Sequence, residues 1–191
     1  NLDDLMNALR EDPNKVIFGA GGTVGSQDWM KAALTAQAAD VDYKKMRFVA
    51  FEGGGEGITA LRGGHIQVFM GDAAEAIAML EGGAPIRVLA VYNDARLPGR
   101  LADVPTAKEQ GYDIVWPIIR GFYVGPKVSD ADYQWWVDAF TKTMATPEFA
   151  ELQAQQGLFP FSMTGADLDS YVKEQVKKYA ELAASFGLVK K

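Results

Sequence analysis

The chain has 191 residues, 48% hydrophobic and 23% charged, the balance of a folded globular protein that can bury a core without staples. It has no cysteine and a single histidine, His65, which excludes a disulfide scaffold, a thiolate or multi-histidine metal site and a cysteine nucleophile. A net charge of −6 disfavours nucleic acid as a partner, because neutralising phosphates needs a basic face, and no apolar run is long enough to span a bilayer.

The chain opens within a helical pattern: Leu2, Leu5, Met6 and Leu9 share one face, and Asp3 and Asp4 stand in the first turn, where the helix dipole favours them. A start of this kind, with neither Met nor a basic-then-apolar leader, reads as a processed form or a piece of a longer chain. A repeating unit follows, made of a short apolar run, a glycine-rich turn and a helix. Val16-Ile17-Phe18 leads through residues 19–26 into a helix predicted over 27–39. Phe48-Val49-Ala50-Phe51 leads through Glu52-Gly53-Gly54-Gly55 into a helix ending near Arg62. Ile66 to Met70 leads through Gly71-Asp72 into a helix over 73–80, and residues 86–92 form a fourth apolar run. Strands alternating with helices of this length predict βαβ units and a parallel sheet.

Beyond Tyr92 the pattern changes. A short helix is predicted up to Gln110, stopped by Gly111, and then an apolar stretch over 114–124 is broken by Pro117 and Gly121, too interrupted for one ordinary strand. The remainder reads as helices over 129–145, 147–156 and 168–186, the last closed by Gly187. Two stripes, Tyr133, Trp136, Val137 and Phe140, then Leu168, Tyr171, Val172, Val176 and Tyr179, need partners that little remaining strand material can supply. Such faces point to self-association or to a covering segment upstream.

A strand that ends in a glycine-rich turn and enters a helix presents unpaired amides at the positive end of the helix dipole, a ready anion site. Gly21, Gly22, Thr23 and Ser26 make the first such turn, with two hydroxyls, and Gly71 and Asp72 make the third. The same residues also read as plain turns, with Ser26 as an N-cap. The first turn fails the dinucleotide fingerprint, because Val24 stands where the third glycine belongs, and it fails the phosphate-loop pattern for want of a lysine before Ser26. Arg120, the one charge between Ile114 and Val124, must meet a carboxylate or face a wet cleft if buried. His65 reads as a surface turn, Trp116, Trp135 and Trp136 as core, and Lys44, Lys45 and Arg47 as a solvated face. Glu52, Glu56, Asp72 and Glu75 lie near the turns, but no nucleophile–base pair can be assembled from them, so no enzyme activity and no cofactor is expected.

The segments "GAGGTVGSQDW", "RFVAFEGGGEGITALRGGHIQV", "IRVLAVYNDARLPG", "DVPTAKEQGYD" and "WPIIRGFYVGPKVSDADYQWWVDAF" together resemble the substrate-binding receptors of tripartite tricarboxylate transporters, the TctC-like or Bug family, over essentially the whole chain. The resemblance implies an α/β fold of the periplasmic binding protein type II kind. It also implies a periplasmic receptor that captures a tricarboxylate such as citrate and hands this small organic acid to a membrane permease. On that pattern residues 1–118 are a complete second ligand-binding lobe with a parallel-rich sheet. Residues 119–126 cross between lobes, and 127–191 are the C-terminal helices of a first lobe whose N-terminal part is absent. Gly21, Gly22, Thr23 and Ser26 match the segment that binds a ligand carboxylate, Gly71 and Asp72 match the turn after the third strand, and Arg120, at the crossing, is expected to pair with a further carboxyl. The rival readings are an effector-binding module of a transcription regulator, which shares the lobe architecture, and a nucleotide-dependent enzyme, which both failed phosphate motifs argue against.

Overall fold

The computed structural model describes residues 1–189 and divides into two units, Asn1–Ile118 and a second from Ile119 onward. The first unit is α/β. Helix α1 (Leu2–Glu11) is closed at its start by a reciprocal cap, in which Asp4 N donates to Asn1 Oδ1 and the Asn1 amine to Asp4 Oδ2, each at 2.9 Å. Its buried face is Leu2, Met6 and Leu9, the stripe expected at helical spacing. Gln110 Oε1 accepts from Leu2 N at 2.9 Å, and Tyr112 donates its hydroxyl to Asp3 Oδ1 at 2.6 Å, so the first turn of α1 is tied to a segment a hundred residues on.

Strands β1 (Ile17–Gly21), β2 (Arg47–Phe51) and β3 (Val68–Phe69) form a parallel sheet in the order β2-β1-β3. Ile17 to Gly21 pair with Arg47 to Phe51 on one side, and Phe18 and Gly19 with Val68 and Phe69 on the other. The central strand is covered on both faces, hence its continuous burial at Phe18, Gly19 and Ala20. At Gly19 a Cβ would stand 2.6 Å from Ile66 Cδ1 and 2.8 Å from Phe51 Cε2, so the close approach of the neighbours requires glycine. Helix α2 (Gln27–Ala38) buries Trp29 to Ala33, Thr35 and Ala36 and packs beside α1 and β1. Helices α3 (Gly54–Arg62) and α4 (Ala73–Glu81) follow β2 and β3. The core joins α1, β1 and α2 through Leu2, Met6, Leu9, Phe18, Ala20 and Ala32, with Met70, Ala107 and Ile114 from later segments.

The fourth apolar run does not form the expected strand. Only Val91 makes a bridge, parallel to Thr106. The backbone of this run is engaged elsewhere: Val91 N donates to Pro105 O and Ala107 N to Val91 O, both at 3.1 Å, and Trp116 N donates to Tyr92 O at 2.8 Å. The side chain of Gln110 donates to Leu89 O at 3.0 Å. Loop backbone and one amide side chain thus satisfy groups that a ladder would otherwise have taken. The helix expected up to Gln110 is a single tight turn, Lys108–Gln110, stopped by Gly111 at φ +88. Ile114 and Trp116 are buried, and residues 114–124 carry no regular element.

The second unit contains α5 (Asp130–Met144), α6 (Pro147–Gln155) and α7 (Gly165–Ser185). Ser129 and Thr146 cap the first two, accepting from Asp132 N at 3.1 Å and Phe149 N at 3.2 Å. Phe122 stacks on Phe140 at 5.0 Å, and Phe140 on Trp136 at 5.7 Å. None of the three helices buries a residue, and Tyr123 is 85% exposed. Trp135 and Trp136, expected in a core, are exposed, because the described residues of this unit include no sheet to cover them. The two stripes read from the sequence are present but only half-covered within this unit.

Candidate functional site

In a parallel sheet all strands deliver their following turns to one edge, and here the turns after β1, β2 and β3 open on the same side. Gly21, Gly22, Thr23, Ser26, Gly71 and Asp72 are therefore brought to a common edge. Arg120 belongs to the second unit and is exposed, so the burial that argued for a carboxylate partner does not arise.

The turn after β1 is held in one shape. Gly22 sits at φ +82, where a Cβ would meet that of Ser26 at 2.9 Å, and its amide donates to Phe51 O at 3.0 Å. Ser26 N donates to Thr23 O at 3.0 Å, and Ser26 Oγ accepts from Trp29 N at 3.3 Å. Ser26 is thus the N-cap of α2, and neither its amide nor its hydroxyl is idle. Thr23 and Val24 are exposed, and the amides of Gln27 and Asp28 opening α2 find no acceptor among the described residues. These groups form the open part of the turn.

The turn after β3 is engaged internally. Gly71 O accepts from Lys31 Nζ at 3.4 Å, and Asp72 N donates to Glu75 Oε2 at 2.9 Å. The Gly71 carbonyl and the Asp72 amide are therefore both taken up within the protein. The start of α3 has a similar device, in which Glu52 N donates to Glu56 Oε2 at 3.4 Å.

Sequence reading missed Lys31. It is 4% exposed, its Nζ lies 2.7 Å from Asp28 Oδ1, and Asp72 Oδ1 is 3.9 Å away. The contact with Asp28 lacks the alignment of a hydrogen bond and acts through charge. One buried cation thereby links the turn after β1 to the turn after β3. The available signal was a lone lysine inside the otherwise apolar run from Trp29 to Leu34, three residues after an aspartate.

The arrangement can hold a small anion and offers no route to nucleophilic catalysis from Ser26. His65 precedes β3 whereas Ser26 follows β1, so the two stand at opposite ends of parallel strands. Among the described residues there is no cluster suited to a metal ion, and no helix long and apolar enough to cross a membrane.

Comparison with known proteins accords with this geometry. Residues 1–188 match the family described as the tripartite tricarboxylate transporter family receptor, TctC. A UPF0065 protein in the gbd 5′ region of Cupriavidus necator is 29% identical over 190 residues, covering 99% of this chain and 56% of that protein. A UPF0065 protein of Bordetella pertussis is 22% identical, covering 98% of this chain and 57% of that one. The chain thus spans a little over half the length of these relatives. Among solved structures, a TctC solute binding protein from Polaromonas, without ligand, superposes with a TM-score of 0.74 at 23% identity, covering 97% of this chain and 62% of that one. An R. palustris protein solved with adipate superposes with a TM-score of 0.79 at 18% identity, covering 97% and 60%. The α/β fold with its parallel sheet is that of these solute-binding proteins, and the chain belongs to the TctC family of tripartite tricarboxylate transporter receptors.

Proposed function

We propose that the chain acts as a periplasmic solute receptor that captures a small organic acid and delivers it to the permease of a tripartite tricarboxylate transporter. The observation that carries this reading is the family match over residues 1–188, on a unit whose strand-end turn leaves helix-start amides open. In this reading residues 1–118 are the lobe that grips a carboxylate. The grip is formed by amides opening α2 and by Thr23, with Gly21 and Gly22 allowing close approach, Ser26 holding the turn, and Gly71 and Asp72 bounding the site. In the same reading 1–118 are the second lobe, residues 119–126 lead into the first lobe, to which 127–191 contribute helices, and Arg120 is the cation for a further carboxylate. Citrate is the tricarboxylate the family description suggests. Adipate, named for the R. palustris structure, is the natural dicarboxylate probe.

Calorimetric titration of the chain with citrate and adipate tests the reading. Saturable heat with thermal stabilisation is expected from at least one organic acid. Silence across mono-, di- and tricarboxylates overturns it.

A further inference from the structure

Glu75 occupies a position that the ligand-binding reading leaves unused. It stands at the third position of α4, and its Oε2 accepts from Asp72 N at 2.9 Å. Its carboxylate also lies against two glycines from different turns. A Cβ on Gly71 would stand 2.5 Å from Glu75 Oε2, and one on Gly54, at the first position of α3, would overlap Glu75 Oε1. The carboxylate is thus flanked by the starts of two helices, where backbone amides and both dipoles favour negative charge. Gly53, the N-cap of α3, brings no side chain to compete for this place.

We infer that Glu75 is a specificity-determining residue: its carboxylate fills the anion site between the starts of α3 and α4, so that only the turn after β1 is open to a ligand carboxylate. This rests on the proposed receptor function. Adjacent parallel strands stand about 4.8 Å apart, so a ligand gripped at the turn after β1 has the fixed charge of Glu75 close by. A single carboxylate is accepted there, and a second one on the same ligand binds less favourably the nearer it comes to Glu75, so that a di- or tricarboxylate is held less tightly than it would be without this charge.

Two measurements test this. In the first, the melting temperature of Glu75→Ala is followed against sodium acetate, with sodium chloride at equal ionic strength as control. Acetate is expected to raise the stability of Glu75→Ala in a saturable manner by more than it raises that of the wild type or Glu75→Gln, in which the place between α3 and α4 stays filled. Absence of that rescue overturns the inference. In the second, Glu75→Gln, which keeps an acceptor for Asp72 N but removes the charge, is titrated with citrate and with hexanoate. Citrate is expected to gain about tenfold in affinity and hexanoate less than about twofold, the asymmetry of a charge acting on a second carboxylate. Equal changes for the two acids show a plain helix cap and overturn the inference. Acetate rescue of Glu75→Ala beside a wild type that binds no mono-, di- or tricarboxylate leaves the filled site standing and defeats the proposed function instead.

Discussion

Lys31 Nζ lies 2.7 Å from Asp28 Oδ1, and the two side chains are 5% and 15% exposed. A pair so enclosed is asymmetric in its energetics: forming it gains little net stability, but removing one partner strands the other charge. Lys31→Met is therefore expected to destabilise the first unit by about 3 kcal/mol in urea unfolding. Adding Asp28→Asn should return a good part of that loss. A single variant as stable as wild type would show that solvent reaches Asp28 freely.

Gly22 at φ +82 faces Ser26, the N-cap of α2. Gly22→Ala forces a side chain into the left-handed region at about 1–2 kcal/mol, and its Cβ would crowd that of Ser26 at 2.9 Å. Ser26→Ala removes only the cap, at about 1 kcal/mol. Thermal denaturation should rank the two in that order. For any acid the wild type binds, Gly22→Ala should weaken binding more than Ser26→Ala, because it deforms the turn as well as the helix start.

Tyr92 is joined to Thr35 by a hydroxyl contact of 2.6 Å, and burial of its phenol pushes the pKa up to about 12, with the bond to Thr35 opposing. A phenol raised in the fold favours the protonated state. The stability it contributes is complete below about pH 10, the value in an unfolded chain, and is lost as pH rises toward 12. Absorbance titration of tyrosinate should show one of the seven tyrosines ionising last, together with loss of structure. In Tyr92→Phe the latest phase should vanish.

Much of the helical framework was legible because its signals are local. Ser26, Ser129 and Thr146 announce helix starts by their own hydroxyls, and Gly111 and Gly187 mark stops by the left-handed backbone they adopt. The parallel pairing of β1, β2 and β3 follows from apolar runs alternating with helices. The fourth strand was misread because the apolar run over 86–92 says nothing about where its backbone bonds go, and they go to Pro105, Ala107 and Trp116. Lys31 was missed for the same reason. Its partners Gly71 and Asp72 lie forty residues away, and spacing along one helix shows only Asp28. The glycine-rich turns after β1, β2 and β3 were legible as a set at one edge of the sheet. How the turn after β3 is tied was not, since that depends on Glu75 folding back onto Asp72 N.

The hydrogen bond from Gly22 N to Phe51 O fastens the first turn to the end of the neighbouring strand. Bending that turn would mean tearing the rim of the sheet, so its shape is set in advance. Under the proposed receptor function, less disorder is then surrendered on capture, and a turn so fastened favours rapid, reversible loading over slow moulding around the cargo.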